Sequence, residues 1–202
     1  MHFVVDSAVS SREQRTRETE RALRRRAREL TAERGLGGFT VEELCADVHV
    51  SRRTFFNYYA SKENAVLGFS MRSDTTDAEA AFVESRGDLL DDLATLLIAR
   101  SEARDMDLTE IRSVRAALEK SPELHRTFIA HISEAQRADR VLIARRQGWP
   151  EDDVRAAVAV ELVGTLIRPC VDEFLERDAT VPFVDLFRSR MAVARSLLDS
   201  PS

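Results

Sequence analysis

Apolar residues recur every three or four positions along most of the chain, and strictly alternating apolar and polar runs are absent. This spacing is typical of α-helices that bury one face. Only seven glycines and five prolines interrupt the 202 residues. The pattern therefore predicts an all-α fold.

Capping residues and helix breakers divide this pattern into elements. The first helix is predicted at residues 13–34, with Leu23, Ala27 and Leu30 on one face, arginines on the other and Gly35 as its C-terminal cap. Thr40 and Glu43 have the spacing of a capping box, and Ser51 and Ser61 are placed as N-caps. Further helices are expected at about residues 41–48, 52–58, 62–84, 89–103, 108–120, 122–147, 150–177 and 182–199. The two short helices around the turn at His49 and Val50 predict a helix-turn-helix.

Charge is distributed unevenly along the chain. The whole sequence carries a net charge of −5, but residues 1–67 hold 12 basic and 10 acidic residues, and residues 12–28 alone hold eight arginines against three glutamates. The first helix is therefore strongly basic. A basic segment at the start of an acidic protein is compatible with a nucleic-acid partner, although charge runs are usually just solvated.

Several function classes find no support in the sequence. No P-loop, GxGxxG, GxSxG or HExxH motif occurs, so enzymatic activity is not expected. His125 and His131 would lie about 240° apart around a helix, and Cys45 and Cys170 stand alone among apolar neighbours, so neither a metal site nor a disulfide nor any cofactor is expected. The chain shows no signal peptide and no membrane-spanning stretch, which predicts a cytoplasmic location.

One segment, Phe39–Leu67, carries a specific motif. It combines a capped short helix, a turn, a second short helix with a basic N-terminal end, and a third cap followed by paired apolar residues. The residues that match the pattern are Thr40, Val50, Ser51, Arg52, Arg53, Thr54, Phe55, Phe56, Asn57, Tyr58, Tyr59, Lys62, Glu63, Val66 and Leu67. This run, about 30 of the 202 residues, resembles the DNA-binding domain of the TetR family of bacterial regulators. The match departs from the family pattern at Phe56, which stands where tyrosine is usual, and at His49, which replaces a turn glycine.

The chemistry of the second short helix agrees with DNA recognition. Arg52 and Arg53 have the donors that pair with guanine, Asn57 is suited to adenine, and Thr54 can contact a thymine methyl. Phosphate contacts are expected from other polar groups on the same surface and position the protein without reading sequence. The complete set of expected DNA-binding residues is Arg17, Thr40, Ser51, Arg52, Arg53, Thr54, Asn57, Tyr58 and Lys62.

The resemblance implies a domain organisation and a mode of action. Residues 1–12 would be a flexible arm, 13–60 the helix-turn-helix domain, 61–84 a connecting helix, and 85–202 a larger ligand-sensing and dimerisation domain. The implied protein is a homodimer that binds double-stranded operator DNA and responds to a small, lipophilic effector. Repression is the commoner mode in the family. Activation, or control by a partner without a ligand, stays open as an alternative.

Residues of the C-terminal region are assigned by pattern alone. The last two predicted helices each have apolar residues for a dimer interface, with Ala159 and Gly164 allowing close approach. The expected walls of an effector pocket are Phe82, Leu93, Leu97, Phe128 and Ile132. Arg168, next to the helix-breaking Pro169, either pairs with Asp172 or across the dimer, or anchors an acidic head group of the effector.

Overall fold

The computed structural model of the protein describes residues 3–72 and 75–199, and no β-strand occurs in them. The helices are α1 (Phe3–Arg34), α2 (Val41–Val48), α3 (Arg52–Phe56), α4 (Lys62–Leu67), α5 (Thr76–Glu84), α6 (Leu89–Ala103), α7 (Leu108–Lys120), α8 (Pro122–Gln147), α9 (Val154–Thr165), α10 (Ile167–Glu176) and α11 (Phe183–Asp199). A 3₁₀ turn at Leu36–Gly38 follows α1. The all-α prediction is confirmed, and most helix ends fall within two residues of their predicted positions.

The described chain forms two compact units. The first contains residues 3–72 and 109–129, and the second contains 75–108 and 130–199. The sequence-based division placed everything after residue 84 in one domain. Residues 109–129 lie in the first unit instead, because Leu124 belongs to its buried core and Val114, Leu118 and Phe128 pack against that core.

The first unit is built on the apolar stripe of α1. Leu23, Ala27 and Leu30 are fully buried, as the helical spacing predicts, and they share a core with Leu44 of α2 and Phe55 of α3. Burial of large aliphatic and aromatic side chains stabilises such a core by about 1.5–3 kcal/mol for each residue. This core fixes the short helices α2, α3 and α4 against one long helix.

Helix α1 begins earlier than predicted. Its backbone is helical from Phe3, whereas the pattern placed the start at residue 13 and an arm before it. No glycine or proline occurs before Gly35, so nothing in the sequence stops the helix from extending towards the N-terminus. Residues 1 and 2 of the predicted arm lie outside the described residues.

The single connecting helix predicted at residues 61–84 is wrong. Helix α4 ends at Leu67, where Gly68 adopts the left-handed conformation (φ 78°) and donates to carbonyls of the last turn. Phe69 N–H also donates to Asn64 O at 2.9 Å, which completes a glycine-based helix stop. The chain then restarts as α5 at Thr76.

A second break separates α9 from α10. The sequence predicted one helix to about residue 177 with a kink or a lost hydrogen bond at Pro169. The structure interrupts the helix at Leu166, three residues before that proline. Proline lacks an amide hydrogen and its ring collides with the carbonyl four residues earlier, which here belongs to Thr165.

The core of the second unit draws on several helices. Phe82 of α5, Leu93 of α6, Ile143 of α8, Val163 of α9 and Phe187 of α11 all belong to one buried cluster. Two arginines tie its α5, α6 and α8 helices by ion pairs. Arg100 contacts both Glu79 and Asp139, and Arg146 contacts Asp92.

Candidate nucleic-acid interface

Helix α2 begins with a complete capping box. The Thr40 hydroxyl accepts from Glu43 N–H at 3.1 Å, and Glu43 accepts from the Thr40 N–H at 2.7 Å. The hydrogen bond from that backbone N–H holds the pKa of Glu43 below its usual value. These reciprocal bonds fix the start of the helix-turn-helix.

The turn between α2 and α3 depends on His49. This residue adopts the left-handed conformation (φ 57°, ψ 41°) and caps α2 by donating to the carbonyls of Ala46 and Cys45. Histidine therefore adopts a left-handed backbone conformation at the position where the family pattern usually has glycine. Any residue other than glycine is strained in this conformation, although histidine tolerates it better than most.

Ser51 sets the N-terminus of the recognition helix α3. Its hydroxyl accepts from Thr54 N–H at 3.0 Å and lies 2.8 Å from the Thr54 hydroxyl. Phe55 and Tyr59 are fully buried, and the Tyr59 hydroxyl donates to Glu20 O of α1 at 3.2 Å. The segment is thus anchored on its inner side, and its outer side is left for other contacts.

The outer side of the recognition segment carries exposed polar residues. Arg52, Arg53 and Asn57 are all exposed, with both arginines in the first turn of α3 and Asn57 at its C-terminal cap. Arg52 Nη1 lies 2.8 Å from Glu42 Oε1, and its guanidinium sits over the ring of Phe56. Within the part of the chain that the structure describes, Arg53 has no ion-pair partner. These side chains match the groups that read base edges in a major groove.

Beside α3 an open cleft separates the N-termini of α2 and α4. Phe56, which is 40% exposed, lines it with Thr40, Ser61 and Lys62. Helix N-termini present free N–H groups and positive dipole ends, which favour anions such as phosphate. Thr40 and Lys62, two of the residues for which the sequence predicts phosphate contacts, line this cleft.

Residues 23–66 match the family model of bacterial regulatory proteins, tetR family. The matched stretch runs from the apolar stripe of α1 to the end of α4. The protein carries a tetR-type DNA-binding domain and is a DNA-binding transcriptional regulator. A search of curated proteins found no significant match to the chain.

Two residues expected at phosphate are engaged inside the tetR-type domain. The Lys62 ammonium donates to Leu36 O at 2.7 Å and to Phe39 O at 3.0 Å. Tyr58 is 93% buried, with the Arg72 guanidinium over its ring. Both side chains therefore hold the domain together, and any contact they make with DNA is additional to that role.

The basic face of α1 is not uniformly solvated, contrary to the sequence-based interpretation. Arg17 is exposed as expected, but Arg24 and Arg28 are buried. Arg24 forms a bidentate pair with Glu110 of α7 (2.7 and 2.9 Å), and Arg28 contacts the same carboxylate at 2.8 Å.

Arg28 also donates to Val66 O of α4 at 2.8 Å, so one arginine bridges three helices. Desolvation lowers the pKa of Arg28 to about 10. Sequence reasoning missed Glu110 altogether. The available signal was that Arg24 and Arg28 adjoin Leu23 and Ala27 on the buried stripe.

The structure separates the five apolar residues predicted to line an effector pocket. Phe82 and Leu93 are buried in the core of the second unit, Leu97 packs against it, and Ile132 is half-buried. Phe128 lies in the first unit, where its ring stacks on Phe69 with centroids 6.0 Å apart. The composition of a pocket wall and of a core is the same, which is why the sequence could not separate them.

Arg168 lies at the surface of α10. Its side chain is 93% exposed and its Nε is 3.9 Å from Asp172 Oδ2. This geometry agrees with the helical pairing weighed from the sequence. It places the guanidinium outside the core that contains Phe82 and Leu93.

Among residues 3–72 and 75–199, no group of three or more histidine, cysteine or acidic side chains could hold a metal ion. No helix there is both long and apolar enough to cross a membrane.

Proposed function

We propose that the protein is a homodimeric repressor that binds a palindromic operator through α3 and leaves it when a small lipophilic molecule binds to the second unit. It would act in the bacterial cytoplasm, where operator DNA lies. The observation that carries the proposal is the tetR-type domain with Arg53 and Asn57 exposed on its recognition segment. The separate helical unit supports a sensing function because DNA binding alone does not require it.

The DNA-binding roles are tested by substitution on the recognition segment. An operator is first selected from a pool of random duplexes with the parent protein. Arg53→Ala and Asn57→Ala should each weaken binding to this operator by about 1–3 kcal/mol, with smaller losses on random DNA. Arg168→Ala removes an exposed arginine from the second unit and is the control, which should bind both duplexes like the parent. If Arg53→Ala weakens both duplexes equally, α3 does not read bases.

Exposed apolar residues support the proposed dimer interface. Val154, Val158 and Leu162 lie four residues apart on α9, and Val193 and Leu197 are similarly spaced on α11. Leu197 is 73% exposed. The run of exposed apolar residues along each helix, and not a single exposed leucine, favours contact with another surface. Helix α9 is the first part of the predicted helix at residues 150–177, and α11 corresponds to the predicted helix at 182–199. The sequence predicted a four-helix dimer interface from these two predicted helices of each subunit.

One of the two small residues expected at that interface needs a correction. Ala159 is buried within the core of its own unit, so it does not face a partner helix. Gly164 is half-buried, and a Cβ there would lie 3.7 Å from the Gln136 amide of α8, an ordinary contact, so its expected place at the interface stays a prediction. The larger exposed residues Val158 and Leu162 carry the proposed contact.

Light scattering of two variants tests the dimer. Leu162→Asp should convert the protein into monomers at micromolar concentration because a charge would be buried in the interface. Met71→Asp replaces a comparably exposed apolar residue in the first unit and should leave the dimer intact. A dimeric Leu162→Asp variant would remove α9 from the interface.

The effector proposal concerns the second unit alone. Its helices bury apolar side chains such as Phe82, Leu93 and Leu97, so a cavity that opened between them would be apolar and would suit a lipophilic ligand. Release of the selected operator by a graded series of apolar compounds tests this. If Leu97 lines the site, Leu97→Trp should raise the concentration needed for release and leave operator affinity unchanged. A series that never releases the operator, at concentrations up to the solubility limit, argues for control by a partner protein.

A further inference from the structure

Two adjacent arginines of α3 have different surroundings. Arg52 faces Glu42 of α2 across 2.8 Å, and its guanidinium lies 5.7 Å from the centre of the Phe56 ring. Arg53 is exposed and has no ion-pair partner among the described residues. Sequence reasoning assigned both arginines the same role, because it could not see which one already has an acceptor within the protein.

The contact between Arg52 and Glu42 is a weak ion pair at the surface. Both side chains are more than half exposed, so water competes with the ion pair and DNA can replace it. Guanine offers two acceptors to one guanidinium and forms the stronger, bidentate contact. Arg52 therefore has two alternative partners, one on α2 and one on a DNA base.

We propose that Glu42 competes with DNA for Arg52 and thereby limits both operator affinity and base selection by that arginine. This inference rests on the proposed role of α3 as the recognition helix. When guanine faces Arg52, binding requires that the contact with Glu42 be given up. When another base faces Arg52, the arginine keeps Glu42 as its partner. The loss of binding free energy on replacing guanine is therefore smaller than it would be without the carboxylate.

Asp47 provides a matched control for Glu42. Both acids belong to α2 and both are partly exposed. Asp47 pairs with Arg26 of α1 at 2.7 Å and does not contact the recognition helix through that pair. Glu42→Gln and Asp47→Asn each remove one negative charge and preserve side-chain size, so their long-range effects on DNA binding should be similar.

The experiment measures binding of both variants to three duplexes. These are the operator selected with the parent, a random duplex, and operators with single base-pair changes at each position. Asp47→Asn should tighten binding to operator and random DNA by similar factors. Glu42→Gln should give a further gain of about two- to fivefold that is confined to the operator, the range expected for release of one exposed ion pair.

A second prediction follows for base selection. At one operator position, Glu42→Gln should increase the penalty for base changes by about the same two- to fivefold factor. In an Arg52→Ala background, both this effect and the extra gain on the operator should disappear. Denaturant unfolding of each variant checks that the fold is unchanged.

Distinct outcomes would overturn the inference. If Glu42→Gln and Asp47→Asn have equal effects on every duplex, or if the extra gain persists without Arg52, Glu42 does not compete for this arginine. Weaker operator binding by Glu42→Gln would show that the pair positions α3 and does not restrain Arg52. A separate result would contradict the proposed function itself. If Arg53→Ala and Asn57→Ala discriminate operator from random DNA as well as the parent does, α3 is not the recognition helix.

Discussion

The ammonium of Lys62, at the start of α4, donates to the backbone carbonyl of Leu36 at 2.7 Å and to that of Phe39 at 3.0 Å. It also lies 5.1 Å from the centre of the Phe39 ring. These bonds satisfy carbonyl groups in the segment between α1 and α2. The lysine expected to contact phosphate therefore fastens the loop that precedes the helix-turn-helix.

Replacement of Lys62 by methionine should lower the stability of the protein. Two charge-assisted hydrogen bonds are lost, and we expect a decrease of about 1.5–3 kcal/mol in the free energy of unfolding, measured with urea. Arg53→Ala is the control, since Arg53 is exposed and should change stability little. If Lys62→Met loses DNA affinity while its stability equals that of the parent, the side chain acts mainly on DNA.

The Glu110 carboxylate should matter more for stability than the exposed acids of the same unit. Glu110→Gln removes the negative charge that the buried side chains of Arg24 and Arg28 both contact. Removing one partner of a buried ion pair typically destabilises a protein by about 3–5 kcal/mol. Thermal unfolding should show a large decrease in Tm, and the exposed Asp47→Asn variant should show little change. Similar behaviour of the two variants would mean that the buried arginines are solvated in solution.

Two left-handed positions give stability changes of opposite sign. His49 pays a steric penalty at φ 57°, so His49→Gly should raise the free energy of unfolding by about 0.5–1 kcal/mol. Gly68 occupies φ 78°, so Gly68→Ala should lower it by about 1–2 kcal/mol. Urea unfolding of both variants measures these two changes in the free energy of unfolding. An unstable His49→Gly variant would indicate that the imidazole makes contacts worth more than the backbone strain.

Local signals account for the parts of the fold that could be predicted. The capping box at Thr40, the N-cap at Ser51 and the stop at Gly35 each depend on residues next to one another in the chain. The missed features depend on residues far apart or on competing local signals. Gly68 was overlooked within a helical pattern, and the assignment of residues 109–129 to the first unit depends on packing of Leu124 in a distant core.

In the candidate interface too, features set by local sequence could be predicted and contacts between distant residues could not. The identity and exposure of Arg53 and Asn57 were predicted from residue type and position in a short helix. The engagement of Lys62 by Leu36 and of Arg52 by Glu42 depends on residues 26 and 10 positions away. Residue type alone cannot show whether a cation is free for DNA or already paired.

Tyr59 gives the protein a specific sensitivity to alkaline pH. Its hydroxyl is buried and donates to Glu20 O, and desolvation raises the pKa of the phenol well above its usual value. Glu20 and Glu110 act in the same direction, and the arginines at 24 and 28 oppose them. The folded state therefore binds the phenolic proton more tightly than the unfolded chain does.

The sign of the effect follows from proton binding. Below about pH 10 both states keep the phenolic proton, and the full stabilisation is present. Above that pH the unfolded chain loses its proton while the folded protein retains it, so stability falls by about 1.4 kcal/mol per pH unit until the phenol of the folded protein also ionises. Arg28 acts in the opposite direction because burial lowers its pKa.

The test compares the free energy of unfolding of the parent with that of Tyr59→Phe, measured with urea from pH 8 to 11. Arg28 is present in both proteins, so its effect largely cancels when one free energy is subtracted from the other. The difference in free energy of unfolding should be constant up to about pH 10 and should decline above it. A difference that stays constant to pH 11 would show that Tyr59 ionises equally easily in both states, and that its hydroxyl is not held within the first unit as the contact with Glu20 requires.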